Sequence, residues 1–163
     1  MIKCAILILS DRGSRGERED LSGKYLLEFL ESLGWEVVDY TLLPDEKPLI
    51  VSKLKSLCES SKVDLLLTSG GTGVHPRDVT PEATKEVIER EIPGIAEYIR
   101  FIGFSKTSLS ALSRGLAGVC GQTLIVNLPG SPRALREIMP QLKELLWHAV
   151  NKIKGDPSEC AKD

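Results

Sequence analysis

The sequence is poor in features that name a function outright. Its four cysteines, Cys4, Cys58, Cys120 and Cys160, lie far apart with no C-x-x-C pair, which excludes the usual zinc-site and thioredoxin-like spacings. Cys4, Cys58 and Cys120 read as buried small hydrophobes, and Cys160 as an exposed thiol in a polar tail. Neither sign of charge is in excess: 21 basic residues face 23 acidic ones, a formal net charge of −2, so no broad field draws in nucleic acid or anionic lipid. No apolar run approaches the length that spans a bilayer. The segment after Met1 lacks the basic region, apolar stretch and small-residue cleavage site of a secretory signal. These absences predict a cytoplasmic protein with neither nucleic acid nor membrane as partner. The P-loop pattern and G-x-G-x-x-G are missing too, and no Ser/His/Asp arrangement emerges from the spacing.

What is present has the texture of an α/β protein. "IKCAILILS", "VDLLLTS" and "TLIVNLP" are almost continuously apolar, as parallel strands covered on both faces should be. "WEVVDYTLL" reads as a further strand. Between the strands lie helical patterns: Leu21, Tyr25, Phe29 and Leu33 recur every four residues before Gly34, a natural stop. Leu49, Ile50, Leu54 and Leu57 form a second pattern, and Thr80 followed by Pro81 reads as the cap and first turn of a third. Leu135, Ile138, Met139, Leu142, Leu145, Leu146 and Ala149 form a long last one, which Pro140 is expected to break near Met139. A chain of 163 residues matches one such domain. The prediction is a three-layer α/β fold, a mostly parallel sheet with helices on both faces, over residues 1–154, with a short polar tail over 155–163.

Ligands of such folds bind beyond the carboxyl ends of the strands, and two unusual turns stand there. In "LLLTSGGTGVHPRDVTPEA" a buried strand runs into Gly70, Gly71 and Gly73. Glycines let several amide N–H groups converge on one anion without intervening side chains. A branched side chain at Gly71 is expected to damage ligand binding more than folding. The second turn, "TLIVNLPGSPRAL", enters a helix through Pro129, Gly130, Ser131 and Pro132, so free amides and the positive end of the helix dipole would face the same rim. Each turn taken alone is also explained as a tight turn without a ligand. Asp11, Asp45 and Asp78 all follow strand ends. Carboxylates beside phosphate cradles are reconciled by a divalent cation, with Mg²⁺ the best match to carboxylate and phosphate oxygens; each taken singly reads more readily as a cap or turn residue. Arg77, Arg114 and Arg133 are candidates for pairing with phosphate. His75 reads as an exposed loop residue and His148 as packed. "EYIRFIGF" is too densely apolar for one helix face, so part of it is expected against a neighbouring subunit.

"TSGGTG", "PRDVTPEA", "ALSRG" and "TLIVNLPGSP", in that order, with "LSDRGSRGEREDLSG" and "PDE" before them, resemble the molybdopterin adenylyltransferase family along nearly the whole chain. The resemblance implies an oligomeric α/β protein, a trimer in preference to a hexamer, that transfers AMP from ATP to the terminal phosphate of molybdopterin and releases pyrophosphate. It implies catalytic, Mg²⁺-holding roles for Asp45 and Asp78. It further implies substrate contacts at Ser10, Asp11, Ser69, Gly70, Gly71, Thr72, Gly73, Ser113, Arg114, Asn127, Pro129, Gly130, Ser131 and Pro132. Two alternatives go with it: a noncatalytic molybdopterin-binding paralogue, against which intact Asp45 and Asp78 argue, and a scaffold domain, for which appended domains or long linkers would be expected.

Overall fold

Successive residues of the first strand bury their side chains on opposite faces, and that alternation decides which helices cover which side. The computed structural model describes residues 1–158, so Cys160 lies outside the described residues. In chain order the elements are β1 (Lys3–Leu9), α1 (Asp11–Ser14), α2 (Leu21–Ser32), β2 (Glu36–Leu43), α3 (Lys47–Glu59), β3 (Leu65–Ser69), α4 (Thr80–Lys85), β4 (Arg90–Glu91), α5 (Pro93–Phe104), β5 (Ala117–Cys120), β6 (Thr123–Leu128) and α6 (Pro132–Ile153), with a 3-10 turn at Ser108–Leu112. Cys4, Ile6 and Ile8 pack with Leu26 and Leu30 of α2, Ile99 of α5 and Leu135, Met139 and Leu142 of α6. Ala5, Leu7 and Leu9 pack on the other face with Ile50, Leu54 and Leu57 of α3 and Ala83 of α4. The result is the expected sheet between two helical layers.

The sheet order is β2-β1-β3-β6-β5-β4. β1, β2, β3 and β6 run parallel, whereas β5 is antiparallel to both β6 and β4. β4 and β5 carry no periodic signal, because they are only 2 and 4 residues long. β5 exists through its hairpin to β6, which turns at Gly121 with φ +58°. Because β2 lies on one side of β1 and β3 on the other, the winding reverses between β1 and β3, and a crevice opens beyond their carboxyl ends.

Two local expectations are corrected. α6 runs unbroken through Pro140, which is exposed on the same face as Arg136, the residue whose carbonyl loses its donor. Leu135, Ile138, Met139, Leu142, Leu146 and Val150 are all buried beneath it. At about 1.5–3 kcal/mol for each such side chain, their burial outweighs the roughly 3 kcal/mol that an interior proline costs. At α4 the cap is Val79, not Thr80. Thr80 is the first helical residue, and its buried hydroxyl donates to the Gly70 carbonyl at 2.9 Å, tying the helix to the glycine turn. Burial pushes the thiols of Cys4 and Cys58 up to about 12, so both behave as apolar core groups.

Candidate active site

The crevice at the switch point is a cleft of about 620 Å³ whose wall includes ten of the site residues that the resemblance implies, Ser10, Asp11, Asp45, Ser69, Gly70, Gly71, Asp78, Gly130, Ser131 and Pro132, together with His75 and Arg77. Its floor is backbone. Where β3 ends, Gly70 and Gly71 take φ of +103° and +66°, a region that side chains rarely tolerate. A Cβ on Gly70 would collide with the Leu9 carbonyl oxygen, and one on Gly130 would stand 3.3 Å from the Gly70 Cα. The two turns therefore touch and build one surface rather than two cradles. Side chains secure the join: Ser69 Oγ donates to the Pro129 carbonyl at 2.9 Å, and Ser22 Oγ to the Gly130 carbonyl at 2.6 Å. Ser131 caps α6 by accepting from the Ala134 N–H, so the positive end of a 22-residue helix borders the cleft.

The acids interlock. The Asp11 N–H donates to Asp45 Oδ2 at 3.1 Å, and the Asp45 N–H donates to Asp11 Oδ1 at 3.0 Å. Arg77 grips both oxygens of Asp11, Nε on Oδ2 at 3.0 Å and Nη2 on Oδ1 at 2.9 Å. This fork is the main reason that the Asp11 carboxyl lies below the usual carboxylate value. Asp45 is perturbed the other way. Burial pushes its carboxyl up, and the charges of Asp11 and Asp78 add to the effect. Its Oδ1 is buried with no hydrogen-bond partner among the described residues, at a point 2.9 Å from where a Gly71 Cβ would sit. Asp78 Oδ2 accepts the His75 N–H at 3.0 Å, and His75 Nδ1 accepts the Arg77 N–H at 3.1 Å, so His75 serves its own turn.

Other expected contacts lie elsewhere. Thr72, Gly73, Ser113 and Pro129 line a second, smaller cavity of about 290 Å³ beside Leu109 and Leu112. Arg114 and Asn127 line neither cavity. The Arg114 guanidinium donates to the carbonyls of Gly73 at 2.8 Å and Asp78 at 2.9 Å and pairs with Glu82, clamping the loop that carries Asp78. Asn127 is buried on β6, where its amide donates to the hydroxyls of Thr68 and Thr84 at 2.9 Å each and accepts the Leu116 N–H at 3.0 Å. A strand covered on both faces gives no sequence sign of whether its polar residue faces a ligand or the core. Arg133 is 87% exposed, with Glu137 4.0 Å away. The arginines facing the cleft without any side-chain partner among the described residues are Arg12 and Arg18. Nothing in "SDRGSRGERED" sets them apart from their charged neighbours; the fold places the segment in the cleft wall, where Asp20 caps α2 by accepting from the Gly23 N–H at 2.8 Å and Ser22 binds the Gly130 carbonyl. His148, whose Nε2 is buried without a partner among the described residues, sits away from it on α6.

A family model described as a probable molybdopterin binding domain matches residues 5–148. The molybdopterin adenylyltransferase of Helicobacter pylori strain J99 is 38% identical over 157 residues, 95% of this chain and 89% of the relative. The molybdenum cofactor synthesis protein cinnamon of Drosophila melanogaster is 40% identical over 162 residues, 99% of this chain; the chain spans only 27% of that protein. Among solved structures, the molybdopterin biosynthesis enzyme MoaB of Thermus thermophilus superimposes with a TM-score of 0.89 at 47% identity, over 98% of this chain and 100% of the other. On its glycine-floored cleft, its topology and these likenesses, the chain belongs to the family of probable molybdopterin binding domains found in molybdenum cofactor biosynthesis proteins.

Proposed function

We propose that this protein is a molybdopterin adenylyltransferase, which transfers AMP from ATP to the terminal phosphate of molybdopterin. The observation that carries this reading is the junction of two anion-ready turns with an unpartnered carboxylate oxygen beside them. A terminal phosphate oxygen of molybdopterin forms a bond to the α-phosphorus of ATP. The bond from that phosphorus to the bridging β oxygen breaks, and pyrophosphate departs with the electron pair. No protein nucleophile is required, since positioning and charge stabilisation supply most of the catalysis in such transfers. The amides of the glycine turn and the start of α6 hold phosphate oxygens, and Arg12 and Arg18 face the departing pyrophosphate.

Mg²⁺ fits this site. Asp45 Oδ1 has no donor among the described residues, Asp78 keeps one oxygen free of His75, and Mg²⁺ commonly takes only one or two carboxylates beside water and phosphate oxygens. No group of three or more His, Cys, Asp or Glu suited to a metal occurs among the described residues, so the phosphates would complete the shell. The ion would neutralise charge on the triphosphate. Asp11, with both oxygens engaged, is not counted among the ligands. Incubation with molybdopterin, ATP and Mg²⁺ should yield adenylated pterin and pyrophosphate. ATP turnover without that product would overturn the proposal, and pterin binding without turnover would indicate the noncatalytic paralogue. Replacing Arg12 and Arg18 together by Gln should raise KM for ATP about tenfold with little change in KM for molybdopterin. An unaltered KM for ATP in steady-state kinetics would remove both from the phosphate site.

The reading includes a cytoplasmic homo-oligomer, a trimer in preference to a hexamer. Self-association is supported by α5, which buries Ile95, Ile99 and Ile102 but leaves Tyr98, Phe101 and Phe104 36%, 69% and 50% exposed, next to exposed Leu109 and Leu112. Such an apolar face marks a contact surface. Phe101→Arg should yield a folded monomer by light scattering, because the side chain contributes little to its own core. An unchanged oligomer mass would place the contact elsewhere.

A further inference from the structure

Arg77 borders the cleft, yet its guanidinium is already committed. Nε and Nη2 hold the two oxygens of Asp11, and Nη2 also reaches Glu46 Oε1 at 2.9 Å. Asp11 Oδ1 in turn accepts the Asp45 N–H, while the Asp11 N–H occupies Asp45 Oδ2. The contacts thus run from Glu46 through Arg77 and Asp11 to Asp45 and end on one oxygen, Oδ1, that has no hydrogen-bond partner among the described residues. We infer that Arg77 and Asp11 are positioning residues for Asp45: the guanidinium fixes Asp11, and the reciprocal pair of backbone bonds then leaves Asp45 Oδ1 as the one oxygen presented beside Gly71. The planar fork matters because it immobilises both oxygens of one carboxylate. Without that cation, Asp11, Asp45 and Glu46 would be three neighbouring anions whose mutual repulsion acts against the two backbone bonds. Arg77 therefore serves the site through Asp45 and not by gripping a substrate phosphate.

The structural part of this inference can be read in substrate-free protein, and only its kinetic part rests on the adenylyl transfer proposed above. In Arg77→Gln, the amide protons of Asp11 and Asp45 should exchange with solvent about tenfold faster by NMR, reflecting loss of charge-assisted hydrogen bonding. The Thr80 amide, which donates to the Gly71 carbonyl at 3.1 Å, should keep its wild-type rate. Arg77→Lys, which retains charge but not the fork, should give a smaller acceleration. Wild-type exchange at Asp11 and Asp45 overturns the inference, and so does equal acceleration at Thr80, which would make Arg77 a support of the whole fold. In the assay, Arg77→Gln should lower kcat with KM for molybdopterin unchanged, and should cost nothing further in an Asp45→Asn background. A full additional loss in that background would put Arg77 on the substrate and overturn the inference. Absence of transfer in the wild type would instead refute the transferase reading, with the exchange experiment still standing.

Discussion

Asp45→Asn is expected to reduce adenylyl transfer about a hundredfold or more while melting no lower than the wild type. Asparagine keeps the shape, and its carbonyl oxygen can still accept the Asp11 N–H that Asp45 Oδ2 accepts now at 3.1 Å. What is lost is a negative charge that the folded protein disfavours, since burial and neighbouring acids push this carboxyl above its ordinary 3.8. A carboxyl whose pKa rises on folding is most compatible with the fold when protonated. That advantage is complete below the unfolded value and is lost as pH rises through the folded one. The stability gap in favour of Asp45→Asn should therefore be widest near neutral pH and should close in acid. Asp78→Asn should lose transfer likewise, since an amide oxygen can still accept the His75 N–H, and extra Mg²⁺ should partly restore both rates. Kinetics across a Mg²⁺ series beside melting curves decide the matter: near-normal rates would sink the carboxylate mechanism, and a large drop in melting temperature would make Asp45 a structural cap.

Gly71→Ala is expected to cost both stability and about a hundredfold in transfer, the loss that a small displacement of reacting groups produces, and Gly34→Ala supplies the control. The two glycines share nearly the same backbone, φ +66° and +72°, so each alanine carries a left-handed strain of about 1–2 kcal/mol. At Gly34 the added Cβ meets nothing within 4 Å. At Gly71 it would collide with the Thr80 hydroxyl and lie 2.9 Å from Asp45 Oδ1. The difference between the variants isolates that crowding, on the order of 1–3 kcal/mol by analogy with overpacked cores. A displacement of Asp45 by even an ångström accounts for the loss of rate. Denaturant midpoints and kcat measured together test this, and equal effects in the two variants would clear Gly71 of any special role. The sequence suggested that a side chain here would harm binding more than folding. The structure makes the damage common to both, because Thr80, which the new atom strikes, is buried and ties α4 to the turn.

Much of this protein was legible from residues alone. Apolar runs marked β1, β3 and β6, spacing marked α2, α3 and α6, and the glycines with Asp11, Asp45 and Asp78 marked the turns that leave the strands and line the cleft. These readings succeed because burial on both faces and helical period are local properties of the chain. Other features depended on what lies across the fold. Pro140 sits inside α6 because six apolar side chains beneath it outweigh its missing donor. Asn127 and Arg114 hold the scaffold because their partners, Thr68, Thr84, Gly73 and Asp78, come from distant segments. The two glycine turns merge into one floor only when β3 and β6 pair. The sequence by itself determined the layers and the glycine-rich rim of the cleft, since periodicity and glycine content need no distant partner. Only the tertiary structure decided the partners of the charged groups, leaving Arg12, Arg18 and one oxygen of Asp45 without a partner among the described residues and Arg77 engaged by Asp11 and Glu46, because a charged side chain's partner is whichever opposite charge or donor the fold brings within about 3 Å of it.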